Sequence, residues 1–258
     1  MERSLPADLF GDDQDGALIE VFAEDYLHFH APFLDGARSD SEAAMLREML
    51  GLRAGDRALD LCCGHGRLTH RMAALGVQTH GLDMSAVFLD RARADAQAMA
   101  SGALFLRGDA VATPYADGAF DGAFCWFTSF GLHEDWKNRA ILAEARRVLR
   151  PGARFAIDLA NRDLVIAGFQ RFHVLERDED LLVDSQEMDV ITGRLWIDRR
   201  IRRGGAARRR RFFLRQFTPP EIADWMRAAG FKDIAFFGDG GAPFTPASAA
   251  MIVMGVRR

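Results

Sequence analysis

Three carboxylates occupy equivalent places in this sequence: Asp60, Asp83 and Asp109 each close a short apolar run. The first lies within Leu59-Asp60-Leu61-Cys62-Cys63-Gly64-His65-Gly66-Arg67-Leu68, where small residues and two glycines separate a strand pattern from a helix pattern. Glycines there let the backbone approach a ligand closely, just ahead of a helix N-terminus with its unsatisfied N–H groups. The loop makes a poor phosphate site. Thr69 stands where the third glycine of a dinucleotide fingerprint would fall, and no Gly-Lys-Ser/Thr follows. Asp60 would repel a pyrophosphate but suits a ligand that carries an ammonium group. Asp83, closing the next strand, is placed to accept both hydroxyls of a ribose. Each residue also has a plainer reading: Gly64 and Gly66 as turn glycines, Asp83 as an acid at a helix N-terminus, Asp109 as an Asx-turn residue. Their joint occurrence at three successive strand ends favours one ligand site along a sheet edge.

The elements needed to line up those strand ends are legible on both sides. Helix-spaced apolar residues begin with Leu18, Val21, Phe22, Tyr26 and Leu27, and a second amphipathic helix is predicted from about Ser41 to Leu52. From Asp56, strands over 57–62, 77–82, 104–107, 120–127 and 154–159 alternate with helices over 67–75, 85–99 and 136–149. Alternation of this length predicts an α/β fold, with a mostly parallel sheet carrying helices on both faces. After Asp163 the rhythm breaks. Strand-like stretches over 172–176, 181–188, 194–202 and 208–217, with a Gly204-Gly205 turn, predict an antiparallel β insertion. Thr218-Pro219-Pro220-Glu221 then opens a helix with a capping box, and strands over 234–237 and 250–256 close the chain. Four regions result: an N-terminal arm and capping helices (1–54), a ligand-binding core (55–163), the β insertion or lid (164–217), and a C-terminal helix with the core's closing hairpin (218–258).

Composition narrows the function classes. A formal net charge of −4 argues against a dedicated nucleic-acid binder. No apolar run approaches the roughly 20 residues of a membrane span, and the acid-containing start does not read as a secretory signal. The cysteines, two of them adjacent at Cys62 and Cys63, have neither disulfide-framework nor zinc spacing, which points to a reduced, cytoplasmic protein.

Residues 55–160 and the two closing strands resemble a class I S-adenosylmethionine-dependent methyltransferase of the bacterial small-molecule type. The resemblance implies a Rossmann-like, seven-stranded sheet, S-adenosylmethionine as cofactor, S-adenosylhomocysteine as product, and no metal. It implies that Asp60, Cys62, Cys63, Gly64 and Gly66 hold the methionine part of the cofactor and Asp83 its ribose. Met84 would pack against adenine, Asp109 would accept from the adenine amine, and Ala110 would offer its backbone N–H. The backbone near Cys125 would touch the cofactor as well. Cys62 departs from the pattern, standing where the family's Asp-x-Gly-x-Gly-x-Gly loop has its first glycine. Pro151-Gly152 is similar to the family's turn ahead of the fifth strand.

Methyl transfer from a sulfonium is an in-line displacement, for which holding the partners at contact distance supplies much of the catalysis. A general base is needed only when the acceptor must lose a proton. The acceptor side is expected beyond the fourth strand, in Cys125-Trp126-Phe127-Thr128-Ser129-Phe130-Gly131-Leu132-His133. Trp126 and Phe127 would contact substrate. Ser129 and His133 are catalytic candidates, His133 first because imidazole ordinarily titrates near neutrality; the competing reading is a surface histidine beside Glu134 and Asp135. In similar enzymes an N-terminal helix closes over the cofactor, which makes Tyr26 a third catalytic candidate and places His30 on the substrate side. His28 and His30 point to different helix faces and are poor joint metal ligands. The arginine run from Arg199 to Arg211 reads most simply as the solvated edges of a hairpin, whereas Arg215, nearer the core, is expected to face an acidic substrate. No Asp-Pro-Pro-Tyr motif follows the fourth strand, which weighs against DNA base methylation. The expected function is methyl transfer to nitrogen, oxygen or carbon of a small-molecule acceptor. The alternatives are an RNA-modifying methyltransferase and an S-adenosylmethionine-binding protein that transfers no methyl group.

Overall fold

Three helices, α1 (Gln14–Val21), α2 (Glu24–His30) and α3 (Gly36–Leu50), lead into the core. The computed structural model describes residues 14–30, 33 and 36–258, so 1–13 of the expected arm lie outside the described residues. The periodicity that begins at Leu18 belongs to two helices rather than one. The chain breaks at Phe22-Ala23, where the Phe22 carbonyl accepts from the Ser85 hydroxyl at 3.0 Å. α3 starts five residues before the expected Ser41, because its first turn carries charge in place of apolar periodicity: Arg38 pairs with Glu42 across one turn.

Strands β1 (Arg57–Leu61), β2 (Gln78–Asp83), β3 (Leu104–Arg107), β4 (Phe120–Cys125) and β5 (Leu149–Ala160) run parallel, with helices α4 (Arg67–Ala74), α5 (Ala86–Met99) and α6 (Asp135–Val148) between them. After helix α7 (Arg162–Ala167) come β6 (Phe172–Arg177), β7 (Asp180–Asp189), β8 (Arg194–Arg203) and β9 (Ala206–Arg215). Helix α8 (Pro219–Ala228) and strands β10 (Phe231–Phe237) and β11 (Ala250–Arg257) finish the chain. The core sheet has seven strands in the order β10-β11-β5-β4-β1-β2-β3, and β11 alone runs antiparallel to its neighbours. The order reverses between β1 and β4, and such reversals open the crevice where α/β sheets hold ligands.

Alternation along the strands divides the core between two helix layers. Leu59, Leu61, Ala123, Phe155 and Val253 face α6 and α8, whereas Ala58, Phe124, Ala156 and Ile252 face α3 and α4. Several strand ends, β9 and β10 among them, differ from expectation by a few residues, and two core strands show a local cause. β4 stops at Cys125 because Phe127 and Thr128 take left-handed backbone (φ 59 and 55), which no strand carries. β5 begins at Leu149, and the Pro151-Gly152 turn becomes an irregularity inside it, between the Phe120–Leu149 and Gly122–Arg154 pairs.

The insertion forms a separate four-stranded antiparallel sheet, β6-β7-β8-β9. Its inner face, with Leu195, Ile197 and Phe212, covers Leu18 and Val21 of α1; Leu182 and Ile201 cover Phe29 of α2. Within that face Arg199 donates to both carboxylate oxygens of Asp184 at 2.8 and 2.7 Å, both side chains buried. Removing one member of a buried pair strands the other charge, a loss of about 3–5 kcal/mol. Asp184→Ala should therefore lower the urea midpoint markedly, while joint replacement by apolar residues (Asp184→Leu with Arg199→Met) recovers most of it. Equal loss in the single and double variants would contradict this role.

Candidate functional site

β1 runs straight into the glycine loop, and its direction there is set by left-handed backbone at Cys62 (φ 60), Gly64 (φ 55) and Gly66 (φ 76). At Gly66 glycine is required twice over, since a Cβ would lie 2.6 Å from the Phe105 ring. Cys62 adopts the same region with a side chain, at a cost of about 1 kcal/mol. Asp83, at the end of β2, ties the loop down: one carboxylate oxygen accepts from the Gly64 N–H and the other from the Ser85 N–H, both at 2.8 Å. Burial raises the Asp83 carboxyl, while those two N–H groups and that of Met84 lower it. Asp60 is buried with a single donor, the Thr69 hydroxyl at 2.6 Å, and burial pushes its carboxyl up to about 7. Thr69, which spoils the phosphate fingerprint, thus serves the acid beside it.

A cavity of about 1000 Å³, open to solvent, lies over this edge. The glycine loop and β2 end supply Asp60, Cys62, Cys63, Gly64, Asp83 and Met84 to its wall, and the segment after β4 supplies Trp126, Phe127, Ser129 and His133. α1 and α2 close the remaining side with Leu18, Phe22 and Tyr26. Tyr26 packs against Phe22 and Phe88 at centroid distances of 5.2 and 5.7 Å. Burial pushes its phenol up to about 12, so the hydroxyl stays protonated. Ser129 Oγ donates to the Trp126 carbonyl at 3.0 Å, which folds the segment back on itself.

Other expected site residues stand outside that wall. Asp109 accepts from the Val111 N–H through Oδ1 at 3.0 Å in an Asx turn after β3, and its neighbour Ala110 is packed into the core. Gly66 meets Phe105 and not the cavity. Cys125 is buried beneath it; hydrogen bonding with Cys62 and burial hold its thiol well above the ordinary range. His30 stacks behind Tyr26 at 4.3 Å and donates through Nδ1 to the Tyr26 carbonyl. Burial and Arg199 lower its imidazole to about 4, so it sits neutral and outside the cavity lining. Arg215 stands outside the cavity lining. Its guanidinium pairs with Glu221 of the α8 capping box and with Asp135 at 3.4 Å, and donates to the Gln216 carbonyl at 2.7 Å, stapling the insertion to α6 and α8. The arginine run is largely neutralised within the fold: Arg203 and Arg208 pair with Asp25, Arg209 with Asp198 and Arg210 with Glu20.

Several site residues escape sequence reasoning. Arg67, the first residue of α4, pairs with Glu42 at 2.6 Å and donates to Ser39 Oγ at 3.2 Å, yet its buried Nη2 has no hydrogen-bond partner. His65 lines the cavity, and burial lowers its imidazole to about 4. Asp158, on β5, accepts from the Phe127 N–H at 3.0 Å and so fixes the left-handed turn after β4; burial pushes its carboxyl up to about 7. The Phe127 ring lies against Arg38 and Arg67, 5.3 and 5.4 Å from their guanidinium carbons. Arg67 alone carried a signal, its place at a helix N-terminus after the glycines.

Residues 58–152 match the family described as Methyltransferase domain. The β1–β5 part of the core is thus similar to a methyltransferase domain. Over 132 residues the chain is 36% identical to a 27-O-demethylrifamycin SV methyltransferase of Amycolatopsis mediterranei, covering 46% of this chain and 47% of that protein. Over 116 residues it is 36% identical to a ubiquinone/menaquinone biosynthesis C-methyltransferase of Roseobacter denitrificans, covering 43% and 45%. The chain thus spans about half the length of the curated relatives it matches. The structure of the CcbJ methyltransferase from Streptomyces caelestis shares the fold, with a TM-score of 0.74 at 22% identity over 85% of this chain and 89% of that one.

The cofactor that this likeness implies is S-adenosylmethionine, and the residues present fit it. Asp60, raised by burial with no cation in direct contact, suits an α-ammonium; the orphan Nη2 of Arg67 suits an α-carboxylate; Asp83 retains acceptor capacity for ribose hydroxyls. Among the described residues no group of three or more His, Cys, Asp or Glu side chains could hold a metal.

Asp83→Ala should weaken S-adenosylmethionine binding by roughly a hundredfold, the loss of two hydrogen bonds to a charged acceptor; calorimetry that shows unchanged affinity would contradict the assignment. Asp60 yields a prediction of the opposite kind. Its carboxyl ordinarily titrates at 3.8 but near 7 when folded, so the folded chain holds an extra proton across that interval. Its contribution to stability is then greatest below about pH 4 and is lost as pH rises through about 7. Asp60→Asn should melt higher than the parent at about pH 8, with the gap closing towards about pH 5. A variant that melts lower at every pH would count against a strained acid.

Proposed function

We propose that this chain moves the methyl group of S-adenosylmethionine to nitrogen, oxygen or carbon of a small molecule and releases S-adenosylhomocysteine. The observation that carries the proposal is the continuity of one cavity, from Asp60 and Asp83 on the core to Ser129 and His133 after β4. The cofactor supplies an electrophilic methyl on a cationic sulfur. Asp60, Arg67 and Asp83 fix the ends of that molecule, which sets the direction of the methyl. Phe22, Tyr26, Trp126 and Phe127 line the reacting space with aromatic surface, and the Tyr26 hydroxyl stays protonated there. His133 lines the acceptor side, in reach of a proton leaving the acceptor. Cys62 and Cys63 face the same space; burial holds the Cys63 thiol well above its ordinary range, which keeps a competing nucleophile protonated.

The relatives' names point to small organic acceptors, a rifamycin in one and quinones in another. The pairing of hairpin arginines with acids supports a small molecule over RNA. No described helix is long and apolar enough to cross a membrane. We place the protein in the reducing cytoplasm on its free thiols, Cys62, Cys63 and Cys125. Incubation with methyl-labelled S-adenosylmethionine and a bacterial extract should transfer label to low-molecular-weight products, insensitive to ribonuclease. Label that enters RNA, or no S-adenosylhomocysteine with any fraction, would overturn the reading.

A further inference from the structure

The acceptor end of the cavity differs from the cofactor end in charge. Of the side chains that line it, the carboxylates are Asp60 and Asp83, both at strand ends under the glycine loop. The wall formed by α1 and the segment after β4 presents Leu18, Ile19, Phe22, Trp126 and Leu132, with Ser129 and His133 as its polar groups. No acid lines this wall among the described residues. The fixed cation on the lining is Arg67, and a bound sulfonium adds a second positive charge. An acceptor that arrives as an ammonium would lose its hydration against an apolar wall, with no counter-charge and two cations nearby. A flat apolar molecule loses nothing there and gains contact with Trp126 and Phe22.

From this distribution of charge we infer that the acceptor is a hydroxylated aromatic molecule, methylated on oxygen, and not an amine. The inference rests on the methyltransferase reading above and narrows it. Ser129 and His133 are the groups that meet the acceptor hydroxyl. As the acceptor oxygen bonds to the methyl carbon, the carbon–sulfur bond breaks and its electron pair stays on sulfur, leaving a neutral thioether. The hydroxyl proton passes to the His133 imidazole and then to solvent, so the positive charge of the sulfonium ends as a released proton. A phenolic hydroxyl, more acidic than an aliphatic one, gives up its proton to an imidazole at lower cost during attack.

Two probes of one shape and different charge test this: 1-naphthol and 1-naphthylmethylamine, the latter an ammonium at about pH 7.5. Each is titrated into the full chain saturated with S-adenosylhomocysteine, with binding read by tryptophan fluorescence and calorimetry. We expect 1-naphthol to bind about tenfold more tightly or better. Trp126→Ala should weaken its binding, and Ser129→Asp should reverse the preference by supplying the missing carboxylate. With S-adenosylmethionine, 1-naphthol should give its methyl ether, and His133→Gln should lower that rate while leaving naphthol affinity within about twofold. Equal or tighter binding of the amine, no binding of 1-naphthol at about 1 mM, or N-methylation in place of O-methylation overturns the inference. Cofactor binding, measured separately, tells the two failures apart. If S-adenosylmethionine binds and naphthol does not, the acceptor class alone is wrong; if S-adenosylmethionine does not bind, the methyltransferase reading falls with it.

Discussion

Carboxylates buried at the ends of parallel strands, with no ion pair to them among the described residues, are the constraint on which this structure turns. A carboxylate taken out of water must be hydrogen-bonded, protonated or met by a ligand. Asp83 follows the first route, accepting from Gly64 and Ser85 N–H groups, and the path of the glycine loop follows from those two bonds. Asp60 has the Thr69 hydroxyl alone and is pushed up to about 7, poised between protonated and ionised near neutrality. Left-handed backbone at Cys62, Gly64 and Gly66 is what the chain adopts to bring both acids to one cavity. Burying these acids costs the fold stability, and under the proposed function a ligand carrying an ammonium would restore it.

The far wall depends on different forces. Two short helices cannot hold themselves in water, and α1 and α2 are held by the insertion sheet: apolar contact at Leu18, Val21 and Phe29, and ion pairs from Glu20 and Asp25 to arginines of β8 and β9. The sheet is stapled to the core in turn through Arg215, Glu221 and Asp135. Arginines that suggest a nucleic-acid surface in the sequence are thus the struts of a cavity wall. On the core side, Asp158 performs for the turn after β4 what Asp83 performs for the glycine loop, fixing a left-handed backbone by accepting one N–H.

Much of this was legible in the sequence because it is local. The seven core strands, the insertion strands and the capped entry to α8 announce themselves through alternation, glycine turns and Thr-Pro-Pro-Glu. Asp60, Asp83 and the glycines were legible for the same reason, since strand, acid and turn are neighbours in the chain. What was missed is non-local. Asp158 meets Phe127 across two strands, Arg67 meets Glu42 on another helix, and Arg215 meets Glu221 through a turn whose acid already has a visible role as a cap. Asp109 shows how a place at a strand end serves two readings: one carboxylate oxygen accepts the Val111 N–H of a local turn, and the residue stands outside the cavity wall.

The most direct test is the proton balance of S-adenosylmethionine binding, measured by calorimetry at about pH 6.5 in buffers of different ionisation enthalpy. Ammonium binding to a half-protonated Asp60 must expel its proton, so binding should release a substantial fraction of one proton, absent in Asp60→Asn. Binding with no proton release, or the same release from the Asp60→Asn chain, would contradict the placement of the cofactor against a buried, proton-holding Asp60.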